Sequence, residues 1–504
     1  MLLDNHIENR VKDEILIFKI LFNKKYSHMN DLIEVTQFSK VKILNTIKEL
    51  ERLLDTYISI NEIKPNVYSL TSLCDLSCRQ IQHIIYQQSN VLLALKFLIT
   101  NTDQTLNDFI DSIYISKANA YRVINSCKSF LHYIGLETHN YKIKGDEYRI
   151  RYLISTLAFN YGIHCYEITP KDTYKVRQFI CETNSSISFD FLEHSQEEYG
   201  FFEHLIMLSW IRYNPDYSLP NNEEFEELKT IFIYKMLPSY LDQLFGANNW
   251  SKSDYDYIFL VYCSTKNPLF SNQWSEQDKI QVKEIVYRQD RVNYLVNLIE
   301  HYFGSDIVKL PDFRTGVFYL YKRYLFNLHH LIKINNYDCN VLKSDLDKEI
   351  YNRLVQVKIN CEKKLNIIEA VSYSELNYFT MLLTNLLRFL TPTLTLTIVS
   401  ESIADHKLMK HLLYNNLSFN KFMIKEFLLG SEPISTLKNH ENNILVFTKS
   451  FNFHEELKKE NVMILPLNCI DTSFSSLTSL LKEKETDNIF NLINKKEADK
   501  SNFD

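Results

Sequence analysis

Glycine is scarce in this chain, with eight in 504 residues. Loops that cradle phosphate need glycine where the backbone closes on the ligand. Neither a GxGxxG nor a Walker-type loop occurs, which argues against a nucleotide-dependent enzyme. Nine cysteines are an odd number and lie scattered. Cys74 and Cys78 are the only close pair, with no second Cys/His pair at zinc spacing, so neither a disulfide framework nor a metal centre is expected. Long apolar runs are missing too. The best candidate, Val91–Ile99, is far short of the roughly 20 residues that span a bilayer. The opening MLLDNHIENR places acids where a signal peptide needs an apolar core, so a cytoplasmic protein is expected. No catalytic constellation is legible, and the expectation is a non-enzyme without cofactor or metal.

Basic charge is also lacking overall, since the net charge is −6. Its distribution is uneven. Residues 1–165 carry 19 Lys+Arg and 17 Asp+Glu, and the remainder carries 37 and 45. A mildly positive head on an acidic body suits a nucleic-acid reader. Hydrophobic residues at 45% can fill cores, and the length implies several domains.

The first third repeats one pattern. Residues 8–23 and His28–Val35 read as helices, Thr36-Gln37-Phe38 as a turn, and Ser39 as the N-cap of a helix from Lys40 to Leu54. Ile43, Ile47, Leu50 and Leu54 fall on one face of that helix. Lys40, Lys42, Asn45, Thr46 and Arg52 are assigned to the outer side, where amides and cations can meet base edges and phosphates. Tyr57–Ile60 and Val67–Leu70 alternate as strands around Lys64-Pro65-Asn66, forming a wing. The second copy has helices at Val91–Thr100 and Leu106–Ile113, a turn at Tyr114-Ile115, and Ser116 capping a third helix. Ala120, Ile124, Cys127 and Leu131 form its buried side. Lys117, Asn119, Arg122 and Asn125 form its outer side. A hairpin with strand Tyr141–Lys144 and a turn at Gly145-Asp146 follows, and Arg149 and Arg151 flank its exit. The plain alternative is a pair of helical bundles with solvated lysines. Two Ser-capped copies, each followed by a hairpin, favour helix-turn-helix units over that alternative.

From about 170 to 390 apolar stripes recur at helical spacing: Phe201–Tyr213, Phe225–Phe245, Tyr255–Cys263, Lys279–Phe303, Gly316–Ile334, Leu346–Leu365 and Glu375–Leu390. His194, His204, His301, His329 and His330 lie here without metal-ligand spacing. Each is either a packing histidine or a phosphoryl acceptor. After Thr391-Pro392 the pattern becomes that of strands alternating with helices (Thr393–Ser400, Ile403–Asn416, Lys421–Leu428, Asn443–Thr448, Val462–Leu467, then a helix near Phe474–Lys482), which implies a small α/β domain. The polar last twenty residues are expected to fray.

The run Ile115-Ser116-Lys117 through Tyr121-Arg122, then Gly135-Leu136, then Lys144-Gly145-Asp146-Glu147-Tyr148-Arg149-Ile150-Arg151-Tyr152 resembles the second helix-turn-helix of the Mga/AtxA family of Gram-positive virulence and global regulators. The order of parts along nearly the whole chain is similar to that family. The resemblance implies a mainly α, multidomain protein. Its parts would be two winged helix-turn-helix units (1–72 and 73–165), two helical PTS-regulation-like bundles (170–282 and 283–390) and an EIIB-like α/β domain (391–504). It further implies a transcription regulator, often an activator, that binds promoter duplex DNA, AT-rich in places, and self-associates to a dimer or higher state. It also implies histidines open to phosphorylation by HPr of the sugar phosphotransferase system. His204, His329, His330 and His194 are the candidates here. A phosphorylatable EIIB domain carries a cysteine after its first strand. This chain has Val399-Ser400-Glu401-Ser402 instead, so the tail is expected to act as a dimerisation or scaffold domain. Three alternatives are a phosphotransferase component, an RNA-binding antiterminator and a scaffold that binds no DNA.

Overall fold

The structure is a computed structural model. It describes residues 2–183, 187–194, 196–212, 217, 219, 223–246, 250–265, 275–321, 326–332, 344–365, 373–417, 421–431, 433, 437, 442–449, 461–467 and 470–500. The chain is mainly helical and divides into two units, residues 1–289 with 318–335, and residues 290–317 with 336–504.

The first unit opens with α1 (Asn9–Asn23), β1 (Ser27–His28), α2 (Met29–Thr36), α3 (Lys40–Leu53), β2 (Ile58–Lys64) and β3 (Val67–Ser72). The strands form an antiparallel sheet in the order β1-β3-β2, with Ser27 opposite Tyr68 and Ile60 opposite Leu70. Then come α4 (Cys78–Tyr86), α5 (Asn90–Thr100), α6 (Leu106–Ile113), α7 (Lys117–Tyr133), β4 (Leu136–His139), β5 (Lys142–Gly145) and α8 (Glu147–Tyr161). The two copies keep register at an offset of 77 residues: Met29 to Leu106, Thr36 to Ile113, Gln37 to Tyr114, Ser39 to Ser116. The apolar stripes named from the sequence, Ile43, Ile47, Leu50 and Leu54 on one helix and Ala120, Ile124, Cys127 and Leu131 on the other, are all buried. Each large aliphatic side chain so placed contributes roughly 1.5–3 kcal/mol.

The two copies are pinned to each other from the N-terminus. The Glu8 carboxylate accepts from Ser89 Oγ at 2.6 Å and from the Val91 amide at 3.2 Å, which satisfies one of the free amides at the start of α5. Asp4 accepts from the Tyr161 hydroxyl at 2.7 Å, and the His6 ring lies edge-on to Phe130.

Helix α8 is buried nearly all round. It packs against α11 in the layer of α9 (Pro170–Thr183), α10 (Phe189–His194), α11 (Gln196–Ile211), α12 (Glu223–Leu228), α13 (Phe232–Phe245), α14 (Lys252–Ser264) and α15 (Glu276–Tyr287). The second unit contains α16 (Asp290–Phe303), α17 (Ser305–Lys309) and the first turns of α18 (Pro311–Tyr321), then α19 (Asp345–Leu365) and α20 (Tyr373–Leu390). Strands β6 (Leu394–Ser400), β7 (Phe422–Leu428), β8 (Asn443–Phe447) and β9 (Val462–Ile464) make a parallel sheet ordered β7-β6-β8-β9. The sheet is accompanied by α21 (Ile403–Asn416) and α22 (Ile470–Lys500). Leu396, Ile398 and Val446 face Met409, Leu413 and Leu477 on one side. Val399, Phe427, Leu445 and Phe447 pack on the other, as alternation along a strand requires.

Several local expectations are corrected. The helix expected over Phe225–Phe245 breaks at residues 229–231, where the Thr230 hydroxyl donates to the Glu227 carbonyl at 2.8 Å, a side-chain bond that competes with helix continuation. Lys279–Phe303 is two helices parted at Arg288 and Gln289. Gly316–Ile334 is not one helix. Residues 326–332 form turns, with Asn327 in the left-handed region at φ 53, so His329 and His330 stand on a turn rather than a helix. The hairpin after α7 turns at Asn140-Tyr141, both at positive φ, which is the signature of a two-residue hairpin turn. Gly145 closes β5, and Asp146 leads straight into α8. The C-terminal residues expected to fray continue α22 to Lys500.

Candidate nucleic-acid interface

In the second copy the turn is built by Tyr114, at φ 54, whose amide donates to the Ile110 carbonyl and closes α6. Ser116 starts α7, its hydroxyl accepting from the Asn119 amide at 3.3 Å. Helix α7 (KANAYRVINSCKSFLHY) contains no acidic residue. Lys117, Arg122, Asn125 and Lys128 are exposed along it, and Asn119 is half-buried. Arg122 donates to Asn119 Oδ1 at 2.9 Å, which orients the guanidinium along the helix.

The wing beside it is held at both ends. The Asn101 amide group donates to the carbonyls of Gln104 and Tyr141 at 2.9 and 3.1 Å, anchoring the hairpin tip. Arg149 donates to the Ile134 carbonyl at 2.9 Å and pairs with Asp146 at 3.0 Å, which fixes the start of α8 against the end of α7. Gly135 is required there. Its φ is +74, and a Cβ would stand 2.9 Å from the Arg149 guanidinium. The Gly135…Arg149 spacing in the motif is thus a packing contact.

The first copy has a different charge balance. Lys40 donates to Asn66 Oδ1 at 2.7 Å. Lys42 pairs with Asp13 at 2.8 Å and its amine lies 3.6 Å from the centre of the Phe38 ring. Asn45 is exposed as expected, but Thr46 is only 9% exposed and its hydroxyl donates to the Lys42 carbonyl at 3.0 Å. It therefore turns into the helix instead of standing on the outer side, because a threonine hydroxyl reaches the carbonyl one turn back. Arg10, Asp13, Glu14, Lys42, Asn45 and Glu49 line an open groove of about 450 Å³ between α1 and α3. Burial pushes the Glu14 carboxyl up to about 6, against the pull of Arg10.

The candidate histidines separate. His204, on α11, is 8% exposed, and its Nδ1 lies 2.8 Å from the Ser155 hydroxyl on α8. Burial, helped by nearby His164, lowers its pKa to about 4. The rings of His329 and His330 lie 3.8 Å apart, and His330 meets Tyr133, near the end of α7, edge-on at 4.6 Å. The His194 side chain lies outside the described residues.

One cluster was not legible in the sequence. Arg151, read as flanking the hairpin exit, is fully buried. Glu147 Oε1 accepts from Arg151 Nε at 3.1 Å and from Arg212 Nε at 2.8 Å, joining α8 to α11. The rings of Tyr217 and Tyr257 flank the Arg151 guanidinium at 4.6 and 4.4 Å. Burial works against the Arg151 charge, but Tyr257, Tyr217 and Glu147 together outweigh it and raise its pKa. The Glu147–Arg151 spacing of four residues was the available signal. It reads equally well as a surface pair.

Among the described residues no group of three or more His, Cys, Asp or Glu side chains could hold a metal ion, and no helix is long and apolar enough to cross a membrane. No curated protein matches the chain. Residues 74–157, the span from just before α4 into α8, match the Mga helix-turn-helix domain family. The second copy is similar to that domain, a helix-turn-helix module of DNA-binding transcription regulators.

Proposed function

We propose that α7 and the β4–β5 wing are the DNA-reading surface, with Lys117, Asn119, Arg122 and Asn125 facing the major groove. The observation that carries this is an exposed helix face with cations, amides and no carboxylate, placed directly after a Ser-capped turn. A major groove about 12 Å wide admits such a helix, arginine pairs with guanine edges, and lysine neutralises phosphate. In the first copy Lys42 already has its counter-charge in Asp13, so α3 contributes less to phosphate binding. In gel-shift titrations at two salt concentrations, Arg122→Ala is expected to weaken binding by about 1–3 kcal/mol. Lys117→Ala should lower the salt slope by about 1. Lys42→Ala should leave both nearly unchanged. A Lys42 variant as impaired as the Arg122 variant would move the reading surface to α3.

We further propose that any phosphoryl input enters at His329–His330 rather than at His204. The contact of His330 with Tyr133 supports this, because a phosphate of nearly two charges there would act on the helix that reads DNA. Incubation with phosphoenolpyruvate, Enzyme I and HPr, followed by mass spectrometry that preserves phosphohistidine, should label a peptide containing residues 329–330. Label confined to His204 would overturn the assignment.

A further inference from the structure

We propose that Tyr114 and Tyr121 are DNA contacts: Tyr121 meets thymine methyl groups with its ring, and Tyr114 meets a phosphate with its hydroxyl. This rests on the reading of α7 as the recognition helix. Tyr114 is disfavoured by the fold in two ways. Its φ of 54 lies in the left-handed region, where a residue with a bulky Cβ substituent is strained. Its side chain is 95% exposed, so it returns no burial energy. The turn needs only a residue that tolerates the left-handed region. At the same place in the first copy that residue is Gln37, at φ 58. The aromatic ring at 114 is therefore not explained by the turn or by packing.

Tyr121 is 48% exposed on the outer stripe of α7, one turn from Lys117 on one side and Asn125 on the other, and next to Arg122. Its counterpart in the first copy, Leu44, is half-buried. Helical side chains lean toward the helix N-terminus, so the Tyr121 ring covers the surface over Lys117 and Ala118, the end that enters a groove first. An apolar ring at that point suits the methyl group that distinguishes thymine in the major groove. A phenol at the turn, beside the amides that open α7, suits a phosphate oxygen.

The test uses the full chain and a duplex that it selects from a random library. Replacing thymine by uracil in that duplex removes only methyl groups. Wild type is expected to lose about fivefold or more in affinity on the uracil duplex, while Tyr121→Ala binds the two duplexes alike. Tyr114→Asn is expected to bind at least about fivefold more weakly, with an unfolding midpoint unchanged or raised, because asparagine tolerates the left-handed region. A uracil duplex bound as well as the thymine duplex by wild type, or an equal uracil penalty in Tyr121→Ala, overturns the Tyr121 contact. A lowered midpoint or undiminished binding in Tyr114→Asn overturns the Tyr114 contact. Arg122→Ala separates the two levels. If it weakens binding while the tyrosine variants do not, only the tyrosine proposal fails. If it too binds like wild type, the reading of α7 itself has failed.

Discussion

Replacing Glu147 by glutamine is expected to destabilise the first unit by about 3–5 kcal/mol, one of the largest single-residue effects in the chain. Glu147 is the shared anion of Arg151 and Arg212. Its Oε2 accepts a further bond from Arg212 Nη2 at 3.2 Å. Without its charge two guanidiniums remain in a low-dielectric region, one of them fully buried, with only carbonyl and phenol oxygens and two aromatic rings for support. Breaking a buried pair from one side costs far more than the pair itself contributes, because the remaining charge has lost its solvent. Urea unfolding should show the loss as a lower midpoint at an unchanged slope. Removing the second charge as well, in Glu147→Gln with Arg151→Met, should recover a substantial part of it. A single variant within about 1 kcal/mol of wild type would mean that water reaches the cluster, contrary to its burial. The network joins α8 to α11 and, through Tyr217, whose hydroxyl donates to the Ser253 carbonyl at 2.8 Å, to the start of α14.

Acid should unfold this unit through His204. The ring is buried and neutral, with its pKa lowered from the usual 6.5 to about 4, mainly by burial. The unfolded chain therefore binds a proton between those values that the folded chain refuses. Stability contributed by the neutral ring is complete above pH 6.5 and is lost as pH falls toward 4. At about 1.4 kcal/mol per pH unit the loss is about 3 kcal/mol. In His204→Gln, which keeps a polar partner for Ser155, the stability change between neutral pH and pH 4 should shrink by about that amount. An identical pH profile in the variant would show that other groups carry the acid transition. His83, whose pKa burial also lowers to about 4, is the first of those to test.

Much of the fold was legible because its signals are local. The stripes Ile43–Leu54 and Ala120–Leu131, the caps Ser39 and Ser116, and the strands near 394–400 and 443–447 are written in spacings of two to four residues. The helix break at Thr230 and the turns over residues 326–332 were not legible, since an apolar stripe registers neither the side-chain bond of Thr230 nor the left-handed backbone of Asn327. Among the candidate site residues, spacing assigned Lys117, Arg122 and Asn125 to an exposed face, and the structure exposes them. It misassigned Thr46, because a threonine on the boundary of a helix face satisfies its own hydroxyl one turn back.

The sequence by itself determined the repeated helix-turn-helix pattern, the acid-free composition of α7 and the change to an α/β tail. Each depends only on residue order and short-range periodicity. The tertiary structure alone decided which charges are available. Lys42 meets Asp13 and the Phe38 ring, Arg151 goes into the core against Glu147 and two tyrosines, His204 is sealed beneath α8, and Tyr114 is left in solvent. Most of these partners come from elements far apart in the chain. Burial multiplies the strength of a charge interaction and screening by water removes it, so the same residue type is either a structural post or a free hand, according to contacts that no spacing rule encodes.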